Sequence, residues 1–276
     1  MKPYENTILI SDLDGTLIPR GGRVSDANRA AIERFVRGGG RFGVATGRTP
    51  EAAAGYVGEL PITAPSIFFN GAMLYDWQKK SVLATRTLPG GDVWPRFAAQ
   101  CLAHFPQACI EVYTADNCNI ISDPANDDPR LPHEFYRYQH VQLVDVADTE
   151  RTPWLKFFVS DEPARLAVLE EETKAFGIGA LAHSFYSEAN YYEYVAQGVS
   201  KGAMLEEIRR LPSCAGVRIV ALGDYLNDNE MLAAADVGVA SGNAHEGTKA
   251  AADVVGCRVE DDLVPWVLEH VLRDGL

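Results

Sequence analysis

Short apolar runs separated by helix-length segments open the chain and close it, and this alternation constrains the fold more than any other feature. Thr7–Ser11 (TILIS) reads as a strand. Ser25 can cap a helix over roughly Asp26–Arg37, which Gly38-Gly39-Gly40 ends. Phe42–Ala45 is a second strand. Thr49-Pro50-Glu51 then supplies an N-cap, a proline at the first helical position and an acid in the first turn of a helix reaching about Glu59. Ser66–Phe69 is a third strand. The rhythm returns near the C-terminus, with helix Gly202–Leu211, strand Arg218–Leu222, helix Asn229–Ala235, strand Val237–Ala240 and helix Glu246–Ala252. Strands linked by helices cross over right-handedly and pair in parallel. The expectation is an α/β core, a doubly wound parallel sheet assembled from both ends of the chain.

The middle follows another pattern. Ile110–Thr114, Asn119–Ser122, Trp154–Val159 and Tyr191–Val195 are strand-like, with longer polar connections between them. Asp123–Pro132, rich in Asp and Pro, reads as a loop, and Pro163–Phe176 as a helix with Leu166 and Leu169 on one face. Tyr191, Tyr192 and Tyr194 are expected to pack strand against helix, and Lys156 to face solvent as an alternating residue. The segment is expected to be an α+β unit inserted into the outer one, with boundaries placing 1–84 and 195–276 in the core domain and 85–194 in the insertion. No internal repeat or low-complexity tract interrupts it.

The 276 residues are 47% apolar, enough for a sizeable core. A formal charge of -13 argues against nucleic acid or an anionic membrane as partner, since both need a basic face, but leaves a small anionic substrate open. Met1-Lys2-Pro3 leads directly into the first strand without the apolar length of a signal peptide, and no uncharged stretch approaches the ~18 apolar residues of a membrane span. The five cysteines are scattered, without a C-x-x-C, and read as reduced thiols of a cytoplasmic protein.

In an open parallel sheet, ligands bind beyond the carboxyl ends of the strands. Asp12 and Asp14 follow the first strand, and Thr46, Gly47 and Arg48 the second. Gly223, Asp224, Asn227 and Asp228 follow Arg218–Leu222, while Ser200-Lys201-Gly202 opens a helix. Acids converging on one sheet edge repel unless a cation sits among them, and hard oxygen ligands favour Mg²⁺. A divalent ion, a lysine and a helix N-terminus together suit a phosphate. Asp12 is placed to attack phosphorus and Asp14 to move protons; Gly15 permits the turn between them and Thr16 can hold it. The spacing is not that of a Ca²⁺ loop, because the sixth position from Asp12 is Leu17 and the twelfth is Arg23. Asn227 or Asp228 could also cap the helix that starts at Asn229.

Asp12-Leu13-Asp14-Gly15-Thr16, Thr46-Gly47-Arg48, Lys201 and Gly223-Asp224-x-x-Asn227-Asp228 resemble the four motifs of the haloacid dehalogenase (HAD) superfamily. More narrowly the chain resembles its Cof-type sugar-phosphate phosphatases, whose class IIB α/β cap is inserted between the second and third motifs. Asn70-Gly71-Ala72, Gly198-Val199-Ser200-Lys201-Gly202, Glu230-Met231-Leu232 and Gly242-Asn243-Ala244 look like that subfamily too. The resemblance implies a Rossmann-like core and a Mg²⁺-dependent phosphatase of small phosphorylated metabolites, sugar phosphates foremost, acting as a monomer or weak homodimer. It implies Asp12 as nucleophile and Mg²⁺ ligand, and Asp14 as general acid/base with its backbone carbonyl on the metal. Asp224 would be a metal ligand; Thr46, Gly47, Arg48, Lys201 and Asn227 would bind phosphate or substrate; Asp228 and Asn243 would support them from behind. Tyr225-Leu226 departs from the small residue many relatives carry there. A phosphomutase of the same superfamily and, remotely, a receiver-type phospho-aspartate signalling domain are the alternatives.

Overall fold

The computed structural model describes residues 2–115, 118–121, 141–144 and 153–272, and all counts below are of these residues. In chain order the elements are β1 (Thr7–Ser11), α1 (Asp26–Arg37), β2 (Arg41–Val44), α2 (Pro50–Val57), β3 (Ser66–Phe68), β4 (Met73–Asp76), β5 (Ser81–Thr85) and α3 (Val93–His104). Next come β6 (Cys109–Tyr113), β7 (Cys118–Ile121), β8 (Val141–Val144), β9 (Lys156–Ser160), α4 (Pro163–Phe176), β10 (Ala182–Glu188) and β11 (Tyr191–Ala196). The chain closes with α5 (Lys201–Arg210), β12 (Arg218–Gly223), α6 (Asn229–Ala234), β13 (Val237–Ala240), α7 (Glu246–Ala251), β14 (Val254–Val255) and α8 (Leu263–His270). It divides into two compact units, residues 1–84 with 200–276, and residues 85–199. The later division falls where β11 ends in a turn, with Val199 N donating to Ala196 O at 3.0 Å.

The first unit is a doubly wound α/β structure. Its parallel sheet has the order β14-β13-β12-β1-β2. In the centre, Ser11 pairs with Leu222 on one side and Val44 on the other. Ile8, Leu9 and Ile10 are completely buried, as a central strand covered on both faces requires. The helices start as their sequences dictate: Ser25 Oγ accepts from Asn28 N at 3.0 Å and Thr49 Oγ1 from Ala52 N at 2.9 Å. A β3-β4-β5 ribbon, antiparallel between β3 and β4, adjoins the sheet through a parallel bridge between Ala45 and Ile67. The sequence reading missed β4, β5, β14 and α8 here, and α3, β8 and β10 in the second unit. Leu83 and Val82 of β5 are exposed, which blurs its alternation, and α8 starts from a left-handed Asp262 (φ 64) and carries Pro265 in its first turn. α8 is tied to α1, since Asn28 Oδ1 accepts from Val264 N at 3.0 Å.

The second unit is α+β. Its sheet has the order β10-β11-β9-β6-β7-β8, antiparallel except for the β7–β8 pair. α3 and α4 bring Trp94, Phe97, Leu166 and Leu169 into one core with Val159, Tyr192 and Tyr194 of the sheet. Tyr194 OH is 2.7 Å from Thr173 Oγ1, so the buried phenol is satisfied. The expected loop Asp123–Pro132 lies outside the described residues. Lys156 corrects an expectation. Every residue of β9 is buried, so alternation there does not mean solvent, and the ammonium lies 3.0 Å from Glu193 Oε2 and 4.5 Å from the Tyr113 ring centre. A charge taken out of water needs such a partner. No helix among the described residues is long and apolar enough to cross a membrane.

Candidate active site

β1, β2 and β12 are parallel neighbours, so their carboxyl ends share one edge, and the strand order reverses direction at β1. Asp12 prolongs β1, with its N–H on Leu222 O at 2.9 Å, and the chain then turns sharply as Leu13 O accepts from Leu17 N (3.0 Å) and Ile18 N (2.8 Å). Gly15 sits at φ +88, and a Cβ there would lie 2.2 Å from Asp224 Oδ2. Only glycine meets both demands. Thr16, expected to hold the turn, reaches across the chain: its hydroxyl donates to Asp224 Oδ1 at 3.0 Å. Asn243 fixes the same loop, giving Nδ2 to Gly15 O and accepting at Oδ1 from Val259 N, both at 2.8 Å.

Lys201 is the first residue of α5, whose N-cap Ser200 accepts from Ala203 N at 3.0 Å. Only 1% of it is exposed, and its ammonium donates to Asp12 Oδ1 at 2.7 Å and Asp228 Oδ1 at 2.6 Å. Asp228 Oδ2 accepts from the backbone N–H groups of Asp224 (2.9 Å) and Tyr225 (3.2 Å). That use of its carboxylate corrects the expected cap: no side chain caps α6, because Asp228 turns back onto the Asp224 loop. Asn227 instead gives Nδ2 to Asn70 Oδ1 at 3.1 Å.

Asp12, Asp224 and Asp228 each offer a carboxylate oxygen, all within 4.8 Å of one another. Asp14 stands outside this cluster. It is exposed, and Arg48 grips it with a two-pronged contact, Nε to Oδ2 and Nη2 to Oδ1, both at 2.7 Å. The guanidinium expected on phosphate is thus engaged by Asp14, and also lies 4.4 Å from the Tyr56 ring centre. Thr46 is buried, its hydroxyl accepting from Arg48 N at 3.2 Å.

Burial drives the Asp12 carboxyl well above the usual range; Lys201 pulls the other way, and Asp228, Asp224 and Asp14 add to the rise. Burial, then the Asp228 charge, pushes Asp224 up to about 7, with the Thr16 hydroxyl opposing. For Lys201 burial alone would favour the neutral amine, but the Asp12 and Asp228 carboxylates more than offset it and hold the ammonium charged. Three carboxylates against one ammonium leave an excess of buried negative charge on oxygen donors. A hard divalent cation fits that set. Both oxygens of Asp228 already accept hydrogen bonds, which leaves Asp12 and Asp224 as the side chains suited to hold it.

Sequence reasoning missed the work of Asn70 and Gly71, though Asn-Gly after an apolar run is a turn signal. Gly71 has φ +107, and a Cβ there would sit 2.2 Å from Ser200 O, at the start of the helix carrying Lys201. Gly71→Ala is expected to cost about 3 kcal/mol in urea unfolding, combining backbone strain with overpacking. Unchanged stability would mean that this close approach is not made.

The profile of the haloacid dehalogenase-like hydrolases matches residues 9–268. The chain is 26% identical to the pyridoxal phosphate phosphatase YbhA of Escherichia coli, over 96% of itself and 98% of that protein. It is 25% identical to the chloroplastic endoribonuclease YBEY of Arabidopsis thaliana over 92% of itself, and spans only 44% of that longer protein. Among solved structures it resembles the HAD subclass IIB sugar phosphatase BT4131, with a TM-score of 0.79, 24% identity, and 96% and 98% of the two chains covered.

Proposed function

Since the chain belongs to the haloacid dehalogenase-like hydrolase family and is a phosphatase of that family, we propose that it hydrolyses small phosphorylated metabolites, sugar phosphates foremost, with Mg²⁺ and through an aspartyl-phosphate on Asp12. The observation that carries this reading is the meeting of Asp12, Asp224 and Lys201 where the strand order reverses. One Asp12 oxygen is bonded to Lys201, which orients the carboxylate and leaves the second to attack phosphorus. As the P–O bond to the leaving alcohol breaks, Asp14, which must first let go of Arg48, gives that oxygen a proton. It then takes a proton from the water that attacks the phosphoryl group and releases Asp12. Mg²⁺ held by Asp12, Asp224 and the Asp14 carbonyl would neutralise charge on the phosphoryl oxygens. Thr46 and Asn227 would hold those oxygens, with Asp228 steadying Lys201. Residues 1–84 and 200–276 would serve as the catalytic core, and the inserted unit, 85–199 rather than the expected 85–194, as the cap that selects substrate. The thiols of Cys101, Cys214 and Cys257 suit a reducing, cytoplasmic setting, and the protein would act there as a monomer or weak homodimer.

A panel of phosphorylated metabolites, assayed for phosphate release with and without Mg²⁺, tests the reading. Release from sugar phosphates, abolished by EDTA and restored by Mg²⁺, is expected; full turnover in EDTA would remove the metal. Little phosphate release with dependence on a sugar bisphosphate would point to a mutase. The pH dependence follows from Asp224. Its folded-state pKa, about 7, exceeds the ordinary carboxylate value, so the folded metal-free protein holds an extra proton that is lost as pH rises towards 7. The stabilisation is present at low pH and fades across that window. A cation replaces that proton, so Mg²⁺ affinity should rise by about tenfold per pH unit for each proton displaced. The Mg²⁺-induced rise in Tm is therefore expected to be larger at pH 8 than at pH 5, and the reverse order would contradict it.

A further inference from the structure

We propose that Asn70 is a positioning residue that locks the Thr46 loop and the Asn227 amide into one phosphate-binding frame. The inference rests on the phosphatase reading, in which Thr46 and Asn227 hold phosphate, and assigns Asn70 a role in that site.

Phe69, Asn70 and Gly71 follow β3 directly, and all have positive φ, at 52°, 55° and 107°. For the two side-chain-bearing residues the left-handed region is unfavourable, more so for the bulky Phe than for Asn. Backbone held in such conformations persists only where the surroundings impose it, and it gathers at functional sites. Here the surroundings are the motif after β2: Phe69 N donates to Arg48 O at 3.2 Å and Asn70 N to Thr46 O at 3.1 Å. The left-handed pair turns two successive N–H groups onto the backbone of one short loop.

The Asn70 side chain, 1% exposed, completes the frame. Its amide presses on Gly47 so closely that a Cβ at position 47 would lie 2.8 Å from Nδ2. That contact explains the glycine between Thr46 and Arg48 without giving it any ligand. On its other side, Asn70 Oδ1 accepts from Asn227 Nδ2 at 3.1 Å, across 157 positions of sequence. A primary amide has two N–H donors in one plane, so engaging one sets the direction of the other. Asn70 therefore fixes the Asn227 amide relative to the Thr46 loop.

Asn70→Gly separates the two contributions. Glycine adopts positive φ without strain, so the turn survives while the amide bridge is lost. Tm is expected to hold or rise, whereas KM for a hydrolysed sugar phosphate and Ki for inorganic phosphate should each rise about tenfold, the effect of losing one such hydrogen bond to a ligand-holding group. kcat should change less. If Asn70 acts through Asn227, adding Asn70→Gly to Asn227→Ala should raise Ki by less than about twofold. Gly47→Ala, which pushes the amide from the loop side, should raise Ki in the same sense and stands in should Asn70→Gly melt early. Wild-type KM and Ki in Asn70→Gly, or full additivity with Asn227→Ala, would overturn the inference. Absence of phosphate release by the unmodified protein would instead sink the phosphatase reading.

Discussion

Asp12→Asn should lose turnover by a factor on the order of 10⁴ or more, as removal of a covalent nucleophile does, while the protein stays folded. The change is nearly isosteric. It exchanges a carboxylate that can form a bond to phosphorus for an amide that cannot. Asp12 is buried, and its charge is opposed by burial and by Asp224 and Asp228 nearby. Removing that charge gives up the Lys201 ion pair but relieves burial and repulsion, which outweigh it, so Tm should be unchanged or higher. Sites strained for function commonly show this opposition of activity and stability. Circular dichroism and thermal melting beside the phosphate-release assay check both halves. Retained activity would refute the nucleophile, and a collapse of the fold would show that Asp12 is structural.

Lys201→Met should cost about 3–5 kcal/mol at pH 8, the range for breaking a buried ion pair by removing one partner, and should abolish activity as well. The ammonium is fully buried and bonds Asp12 and Asp228 at 2.7 and 2.6 Å, so its removal leaves two buried carboxylates facing each other. Methionine fills a similar volume and supplies no charge. The sign of the pH dependence follows from Asp12, whose folded-state pKa is already raised and whose largest opposing influence is Lys201. Without Lys201 it rises further. The variant's folded state then takes up a proton more readily than its unfolded chain, and acid recovers part of the lost stability. Urea titrations at pH 8 and pH 5 should show the larger deficit at pH 8. An equal deficit at both would mean that lost packing, not unpaired charge, sets the cost.

The fold was legible wherever local chemistry decides it. Ile8, Leu9 and Ile10 are apolar in succession because β1 is covered on both faces, and Ser25 and Thr49 cap their helices in the structure as their positions imply. The acids at the strand ends were legible for a topological reason, since parallel neighbours place their carboxyl ends together. Contacts between distant segments were not. Thr16 holds Asp224 across 208 residues, Asn70 meets Asn227 across 157, and Arg48 pairs with Asp14 across 34. No local pattern encodes such partners. Lys156 was misread for a related reason: period-two alternation reports the pleat, not what covers each face, and in β9 both faces are covered.

The most direct measurement is a rapid-quench reaction of the Asp14→Asn variant with a sugar phosphate, followed by borohydride reduction and peptide mass spectrometry. An acyl phosphate on Asp12 should be reduced to homoserine at position 12, accumulating because no carboxylate at position 14 activates water. Phosphate release with no modified peptide, or reduction at another aspartate, would contradict covalent capture by Asp12.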